Sequence, residues 1–137
     1  MTAAATRKLI TRYYDAFNAQ DTDAMLDCLG AGFVHDVSQG GRRKGKALFA
    51  EFLAHMHARY REKLSNIVVM TNVDGTRAAA EFDLRGKYIA TDPGLPKAAG
   101  QTYKLRVGAF LDIRNGKITR VSTHYNLNDW KKQVLGR

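Results

Sequence analysis

The sequence has little of the features that mark several special classes of protein. Among its 137 residues there are one cysteine and two prolines, and no unbroken hydrophobic run is longer than the four residues 67–70. A single cysteine, Cys28, excludes an internal disulfide and a cysteine-rich zinc site. A membrane-spanning helix needs about 20 apolar residues, so no membrane segment is expected, and an apolar signal-peptide core is also lacking. These features are typical of a reduced, cytoplasmic protein.

Acidic residues are scarce relative to basic ones, which raises the question of a nucleic-acid partner. The chain has 22 Lys+Arg and 13 Asp+Glu, a formal net charge of +9. The densest basic cluster is 42–46, and elsewhere basic residues are interleaved with acidic rather than aromatic ones. A surface that binds single strands needs aromatic interleaving. A solvated basic surface is therefore favoured, and no nucleic acid is expected as a partner.

The segment 40–47 resembles a phosphate-binding loop but lacks a residue that the chemistry requires. Ala47 stands where such a loop has the serine or threonine hydroxyl that holds magnesium. We therefore expect no bound nucleotide. His55 and His57 are two positions apart on a predicted helix, so they face away from one another and form no metal site.

Apolar residues in the first half of the chain recur with helical periodicity. Leu9 and Tyr13 lie on one face of a predicted helix over 5–19. A second, shorter helix is predicted to begin at Asp21, which is a suitable N-cap. A third helix is predicted over 46–60.

The second half alternates between apolar and polar residues, which is typical of strands with one covered face. In chain order the pattern predicts a strand over 64–71, a turn at 74–75, a strand over 78–89, a loop over 91–100, a strand over 103–113, a turn at 115–116, a last strand through Tyr125 and a short helix over 128–134. Three N-terminal helices packed on a curved antiparallel sheet make one α+β domain over 1–137, a cone with an apolar interior.

Asp36 is the sharpest candidate for a catalytic group. It lies in a predicted short strand, 33–37, in which it shares a face with Val34. On the inward side this carboxylate would meet an apolar interior, where burial raises its pKa and suits it to remove a proton. Tyr13, on the apolar face of the first helix, can donate a hydrogen bond to a developing oxyanion. Asp36 and Tyr13 are the predicted catalytic pair.

Apolar and aromatic residues occupy the inward positions of the predicted helices and strands. We expect the following to contact a hydrophobic ligand: Phe17, Phe52, Met56, Phe82, Tyr88, Tyr103, Thr123, Tyr125 and Trp130. In the last strand Tyr125 is expected to face inward and His124 outward. A β-bulge would exchange the two, so His124 is a secondary candidate.

Several stretches of the chain resemble the NTF2-like superfamily. They are LITRYYDAFNAQDTDAM at 9–25, FVHD at 33–36, GK at 45–46 and GAFLDIRNGKITRV at 108–121, and the resemblance extends over about 6–132. The branch most similar to this chain is that of the SnoaL-like polyketide cyclases and ketosteroid-isomerase-related proteins. The resemblance implies an NTF2-like cone with a pocket for a small hydrophobic molecule.

The resemblance also implies roles for individual residues. Asp36 falls where ketosteroid isomerase has its general-base carboxylate, and Tyr13 where it has its oxyanion tyrosine. The second oxyanion carboxyl has no counterpart, since 106–109 reads Arg-Val-Gly-Ala. The loop 91–100 is longer than in the isomerase and resembles the cyclase branch, where it helps to roof the pocket. The implied activity is that of a cofactor-independent isomerase or cyclase that removes a proton next to a carbonyl.

Two other functions stay open at this point. The missing carboxyl favours a non-catalytic module that binds a small ligand. The polar outer positions Ser122, His124 and Asn126 favour a dimeric scaffold that binds a protein. The fold family implies a homodimer through the convex face of the sheet, which light scattering of the protein in solution tests. No metal, organic cofactor or membrane is expected as a partner.

Overall fold

The chain forms most of its helices before its long strands, as the periodicity predicts. The computed structural model describes residues 2–136, and these contain four helices: α1 Ala3–Asn18, α2 Thr22–Asp27, α3 Lys46–Arg59 and α4 Leu127–Leu135. They also contain six strands: β1 Leu29–Asp36, β2 Arg42–Lys44, β3 Tyr60–Thr71, β4 Arg77–Tyr88, β5 Thr102–Arg114 and β6 Lys117–His124. The predicted α+β class is confirmed, with the C-terminal α4 in addition to the three N-terminal helices. None of these helices is long and apolar enough to cross a membrane.

The six strands form one curved sheet in the order β2-β1-β6-β5-β4-β3. Strands β3 to β6 form the predicted antiparallel meander. Strand β1 departs from the expected antiparallel arrangement, because it lies parallel to β6. Parallel neighbours need a long connection, and the chain supplies one here because β2, α3, β3, β4 and β5 all lie between the two strands. The short β2 and the long β3 are therefore the two edges of the sheet.

The side chain of Thr2 caps the N-terminus of helix α1, and one face of the helix is buried against the sheet. The hydroxyl of Thr2 accepts the N–H of the residue three positions later at 3.0 Å. Leu9 and Tyr13 are each 4 % exposed. At the other end, the Asn18 side chain donates to the Leu64 carbonyl at 3.0 Å and accepts the Leu64 N–H at 2.8 Å. The end of α1 thus occupies backbone groups that the edge strand β3 would otherwise leave unpaired.

The core lies between the helices and the inner face of the sheet. Alternate residues of β4 and β5 are buried there: Ala78, Ala80, Phe82, Leu84, Tyr88, Tyr103, Leu105, Val107, Ala109, Leu111 and Ile113. This burial confirms the face that the alternation predicted. Removal of such apolar surface from water stabilises the fold by about 25 cal/mol per Å².

The outer face of the sheet carries ion pairs and a few exposed apolar side chains. Arg106 contacts Glu81 at 2.5 Å and Asp83 at 3.0 Å. Phe110 lies on the same face and is 53 % exposed. The homodimer expected through this face stays a prediction.

Candidate functional site

The concave face of the sheet and helices α1, α3 and α4 surround a cavity of about 570 Å³. Its walls are mostly aromatic and aliphatic. Eight of the residues predicted for the site lie on these walls: Tyr13, Phe17, Phe52, Met56, Phe82, Thr123, Tyr125 and Trp130. That they bind a ligand stays a prediction, but the structure brings them to one cavity.

Tyr88 and Tyr103, which we also expected on the wall, lie behind it. The Tyr88 side chain is fully buried, and its ring stacks on that of Tyr60 with 5.3 Å between the centroids. Its hydroxyl donates to the Pro96 carbonyl at 2.7 Å and accepts the Asp92 N–H at 2.8 Å. Tyr88 therefore holds a loop in place and does not face the cavity.

Asp36 lies on the outer face of the sheet, so the expectation that it faces the cavity is wrong. Arg42 donates to it from Nε at 2.7 Å and from Nη2 at 3.1 Å, and Arg120 Nη1 lies 3.4 Å from Oδ2. The hydrogen bonds from Arg42, with help from Arg120, hold the pKa of Asp36 below its ordinary value. A carboxylate in this setting stays ionised and engaged, which does not suit a general base.

The error arose in the phase of strand β1. Phe33 and His35 are buried, at 0 % and 5 % exposure, and Val37 lines the cavity. Successive residues of a strand point to opposite faces, so Asp36 and Val34 point outward. The sequence contained the signal. Phe33 and Val37 lie two positions before and after His35 and so share its face of the strand, whereas Asp36 shares its face with one apolar residue, Val34.

His35 occupies the place on the cavity wall that we had given to Asp36. Its ring packs edge-on against Phe49 and Phe52, with centroid distances of 5.1 and 4.6 Å. Burial, and secondly the guanidinium of Arg43, lowers the pKa of His35 to about 4. The imidazole is therefore neutral at pH 7. Its Nδ1 is buried and has no hydrogen-bond partner among residues 2–136.

The cavity also contains a carboxyl that the sequence reasoning missed, Glu62 of β3. It lies on the inner face between the buried residues Tyr60 and Leu64, and it lines the cavity. The Tyr103 hydroxyl donates to its Oε2 at 2.6 Å. Burial raises the pKa of Glu62, and the hydrogen bond from Tyr103 opposes part of that rise. Glu62 alternates in phase with Leu64, but the predicted strand began only at residue 64.

Gly86 makes the contact between Glu62 and Tyr103 possible. In the sheet Glu62 pairs with Gly86, and Gly86 pairs with Tyr103, so the three residues form a row across β3, β4 and β5. A Cβ on Gly86 would overlap the ring and hydroxyl of Tyr103. Because Gly86 has no side chain, the Tyr103 ring lies across β4 and reaches the far strand. Burial and the neighbouring Glu62 raise the pKa of Tyr103, so its hydroxyl stays protonated.

A second carboxyl, Asp92, lies in the loop between β4 and β5 and also lines the cavity. Its Oδ1 is 2.9 Å from His55 Nε2, and its Oδ2 accepts the Tyr60 hydroxyl at 2.7 Å. Both oxygens are therefore engaged in holding the loop to α3 and β3. Glu62 differs, because no side chain of residues 2–136 donates to its Oε1.

Tyr13 lies on the cavity wall, whereas the secondary candidate His124 does not. Burial is the main cause that raises the pKa of Tyr13, so its hydroxyl is a neutral donor at pH 7. His124 lies on the outer face, where its Nε2 is 3.2 Å from Ser122 Oγ and its ring is 5.7 Å from that of Phe110. The alternative in which a bulge turns His124 inward is therefore wrong, and Tyr125 faces the cavity.

Comparison with known proteins places the chain in a family. The model of the SnoaL-like domain matches residues 10–121. The chain belongs to the SnoaL-like domain family. It is 55 % identical to a "putative polyketide cyclase" from Pseudomonas putida KT2440, with 98 % of each chain covered and a TM-score of 0.92. A protein of the same description from Silicibacter sp. TM1040 is 51 % identical, with 98 % of each chain covered and a TM-score of 0.94.

The fold of this SnoaL-like domain extends to more distant structures. An NTF2-like protein from Burkholderia pseudomallei K96243 is 14 % identical over 95 % of this chain and 97 % of that one, with a TM-score of 0.80. A likeness at this identity shows the fold alone, and it confirms the predicted NTF2-like architecture. Among curated proteins, none matches the chain.

The SnoaL-like cavity combines groups that can take part in proton transfer. Glu62 is a carboxyl of raised pKa, and Tyr13 and Tyr125 are neutral phenols on the same walls. A carboxyl of raised pKa can accept a proton at neutral pH, and neutral donors in an apolar site can stabilise a developing oxyanion. Within residues 2–136, no three His, Cys, Asp or Glu side chains lie close enough together to hold a metal ion.

Proposed function

We propose that this SnoaL-like protein is a cofactor-independent enzyme that removes a proton next to a carbonyl group of a small hydrophobic substrate. Glu62 is the base. The single observation that carries the proposal is the placement of this carboxyl on the wall of an apolar cavity, where Tyr103 donates to its Oε2 at 2.6 Å. The step is common to isomerases and to cyclases that form a carbon–carbon bond from an enolate.

The environment of Glu62 suits this role in two ways. Burial raises the pKa of Glu62, and a base is most effective when its pKa lies near the working pH. The hydrogen bond from Tyr103 orients the carboxyl, while Oε1 is left without a donor among residues 2–136. An oriented carboxyl with one uncommitted oxygen is what proton abstraction requires.

Tyr13 is proposed as the donor to the oxyanion that forms when the proton leaves. It lines the cavity, and burial keeps its hydroxyl protonated. A neutral donor in a water-poor site stabilises an enolate more strongly than it would in water. The description of the Pseudomonas and Silicibacter neighbours as polyketide cyclases is in keeping with a carbonyl-bearing substrate.

The proposal is tested by exchange of α-protons for deuterium. Wild-type protein and the Glu62→Gln variant are incubated in D₂O with hydrophobic ketones such as 2-tetralone and 2-acetylnaphthalene, and proton NMR measures the exchange rate. Glu62→Gln is expected to slow the catalysed exchange by at least about 100-fold, the usual contribution of general-base catalysis. The matched control is Asp36→Asn, which removes a carboxylate of the outer face and is expected to leave the rate unchanged.

Two outcomes contradict the proposal. Equal rates for the wild type and Glu62→Gln would remove Glu62 from the mechanism. Binding of the ketones without exchange in any variant would favour the non-catalytic ligand-binding module instead. Circular dichroism and thermal melting of each variant show whether a lost rate reflects lost folding.

A further inference from the structure

Arg43 of β2 is a cationic side chain on the wall of the same cavity. In the sheet it pairs with His35, which faces the cavity, whereas its neighbours Arg42 and Lys44 pair with the outward residues Asp36 and Val34. Arg43 therefore shares the inward face with His35. Its charge reaches that ring, because Arg43 is one of the causes that lower the pKa of His35.

The guanidinium of Arg43 is weakly neutralised. Its carboxylate contact is Glu51 Oε2 at 3.9 Å, and the Glu51 side chain is 70 % exposed. By contrast, Arg42 of the outer face lies 2.7 Å from Asp36, and Arg77 lies 2.8 Å from Asp112. Among residues 2–136, the guanidinium of Arg43 makes no hydrogen bond, and its contact with Glu51 is too long to be one. A planar fork of donors is thus available to a ligand in the cavity.

His35 adds a second uncommitted group beside Arg43. Its ring lines the cavity, and neither ring nitrogen makes a hydrogen bond within residues 2–136. Nδ1 is fully buried, whereas Nε2 is not, so Nε2 is the ring nitrogen that a ligand in the cavity can reach and to which it can present an acceptor. Ser38 and Gln39, in the turn that joins β1 to β2, line the same end of the cavity.

The opposite edge of the sheet has the opposite chemistry. Strands β2 and β3 are the two edges, so Arg43 and Glu62 lie at the two sides of the cavity. Glu62 and Asp92 occupy the β3 side, and both face the cavity. The β2 side carries the Arg43 guanidinium and one exposed carboxylate, Glu51, whereas the β3 side carries two carboxyls, so an anionic group is favoured at the β2 side over the β3 side. The cavity is thus polarised along the direction from β3 to β2.

We propose that Arg43 and His35 form a subsite for the carboxylate of the substrate, which is therefore an amphipathic keto acid. The inference rests on the proposed function and assigns its substrate class. The carboxylate binds between the Arg43 guanidinium and the His35 ring, the apolar part of the molecule fills the aromatic walls, and the carbonyl is directed toward Glu62. A neutral hydrophobic ketone lacks the group that this end of the cavity recognises.

The test compares acids with their esters. The probes are three 3-aroylpropanoates, with phenyl, 2-naphthyl and 4-biphenylyl groups, and their methyl esters, and calorimetric titration measures the dissociation constants. Wild-type protein is expected to bind the acid that fits best at least about tenfold more tightly than its ester, as a charge-assisted contact requires. Arg43→Gln is expected to lose this preference and to bind the ester as before.

Two further variants distinguish a local contact from a general effect of charge. Lys44→Gln removes the same charge from the next residue of β2, on the outer face, and is expected to keep the preference for the acid. Glu51→Gln removes the carboxylate that lies 3.9 Å from Arg43. It is expected to bind the acid several-fold more tightly, because the repulsion between Glu51 and the ligand is gone. If Arg43 were needed only for folding, the Glu51→Gln variant would show no such gain in affinity for the acid.

The outcomes separate this inference from the proposed function. Equal affinity for acid and ester, equal effects of Arg43→Gln and Lys44→Gln, or binding of no probe would overturn the carboxylate subsite. Glu62→Gln is expected to keep the preference for the acid while it loses α-proton exchange on the same probes. Preference for the acid without any exchange by the wild type would overturn the proposed function and leave the subsite in place.

Discussion

Asp36 and Glu62 are carboxyls on opposite faces of one sheet, and their surroundings shift their pKa values in opposite directions. Asp36 points outward into two guanidinium groups, and its pKa is lowered. Glu62 points inward, where it accepts a hydrogen bond from Tyr103, and its pKa is raised. The residue type is nearly the same, so the face of the sheet decides which of the two can act as a base.

The same contrast holds for two successive residues of β1. His35 is buried among aromatic rings and is neutral at pH 7, whereas Asp36 is charged and paired. On the inner face His35 and Glu62 each keep an atom without a hydrogen-bond partner among residues 2–136, whereas carboxylates of the outer face such as Glu81 are taken up in ion pairs. This difference, rather than the presence of acidic residues, supports the proposal that the inner face carries the function.

The largest expected effect tests the row of residues that holds Glu62. Gly86→Ala places a Cβ where the Tyr103 ring lies, so the ring must move out of its packing against Trp130. We expect a loss of about 3 kcal/mol in the free energy of unfolding, as for an overpacked core, measured by urea unfolding.

Gly108→Ala is the matched control for this prediction. Gly108 lies in the neighbouring strand β5, and a Cβ there meets nothing within 4 Å. We expect little change in its stability. The Gly86→Ala cost is also expected to shrink in a Tyr103→Leu background, because the overlapping ring atoms are gone. Similar losses for Gly86→Ala and Gly108→Ala would show that the row is not tightly packed.

A smaller effect is expected from the inward residue His35, as a loss of stability at acidic pH. The pKa of His35 is about 4 in the folded protein, below that of an unfolded histidine, so the unfolded state binds more protons between these values. Stability must therefore fall as pH falls through this window. We expect the wild type to lose about 2 kcal/mol more than His35→Phe between pH 7 and pH 5, measured by urea unfolding. Parallel losses in the two proteins would contradict a neutral, buried His35.

The smallest effect is on the pH dependence of stability, to which Glu62 and Asp36 contribute with opposite signs. The folded protein holds the Glu62 proton more tightly than the unfolded chain does, so Glu62 destabilises the fold as pH rises above the unfolded pKa. Asp36 does the reverse: it stabilises the fold above the unfolded pKa, and that stability is lost as pH falls. For the partly exposed Asp36 pair we expect at most about 1 kcal/mol.

Melting temperatures from pH 3.5 to pH 8 measure this difference. Relative to the wild type, Glu62→Gln should gain stability as pH rises, and Asp36→Asn should lose it. The same sign of change in both variants would mean that the two faces of the sheet do not set the two pKa values in opposite directions.

Most of the fold could be predicted because its signals are local. Helical periodicity placed α1 and α3, and alternation placed β4 and β5 with the correct faces inward. The inward face of strand β1 was harder to predict, because the predicted strand has only the five residues 33–37 and both His35 and Asp36 are polar. The first residues of β3 were missed because the inward Glu62 is charged like its outward neighbours Arg61 and Lys63, so 61–63 show no alternation of apolar and polar residues.

The candidate site depends on contacts between residues that are distant in the chain. Aromatic residues at inward positions predicted most of the cavity wall, but they did not distinguish Tyr125, which faces the cavity, from Tyr103, which lies behind it. The hydrogen bond from Tyr103 to Glu62 exists because the register of two strand pairs brings Gly86 between them. No local pattern contains that register.

The sequence by itself determined the α+β class and the apolar interior, because periodicity and turn residues depend on neighbours in the chain. It also carried the family resemblance, in the stretches 9–25, 33–36, 45–46 and 108–121. Only the tertiary structure decided which polar residues meet in the cavity. The pairing of strands put Asp36 among arginines and put Glu62, His35 and Arg43 on the inner face. Burial and neighbouring charges, which act through space, then gave each of these groups its protonation state.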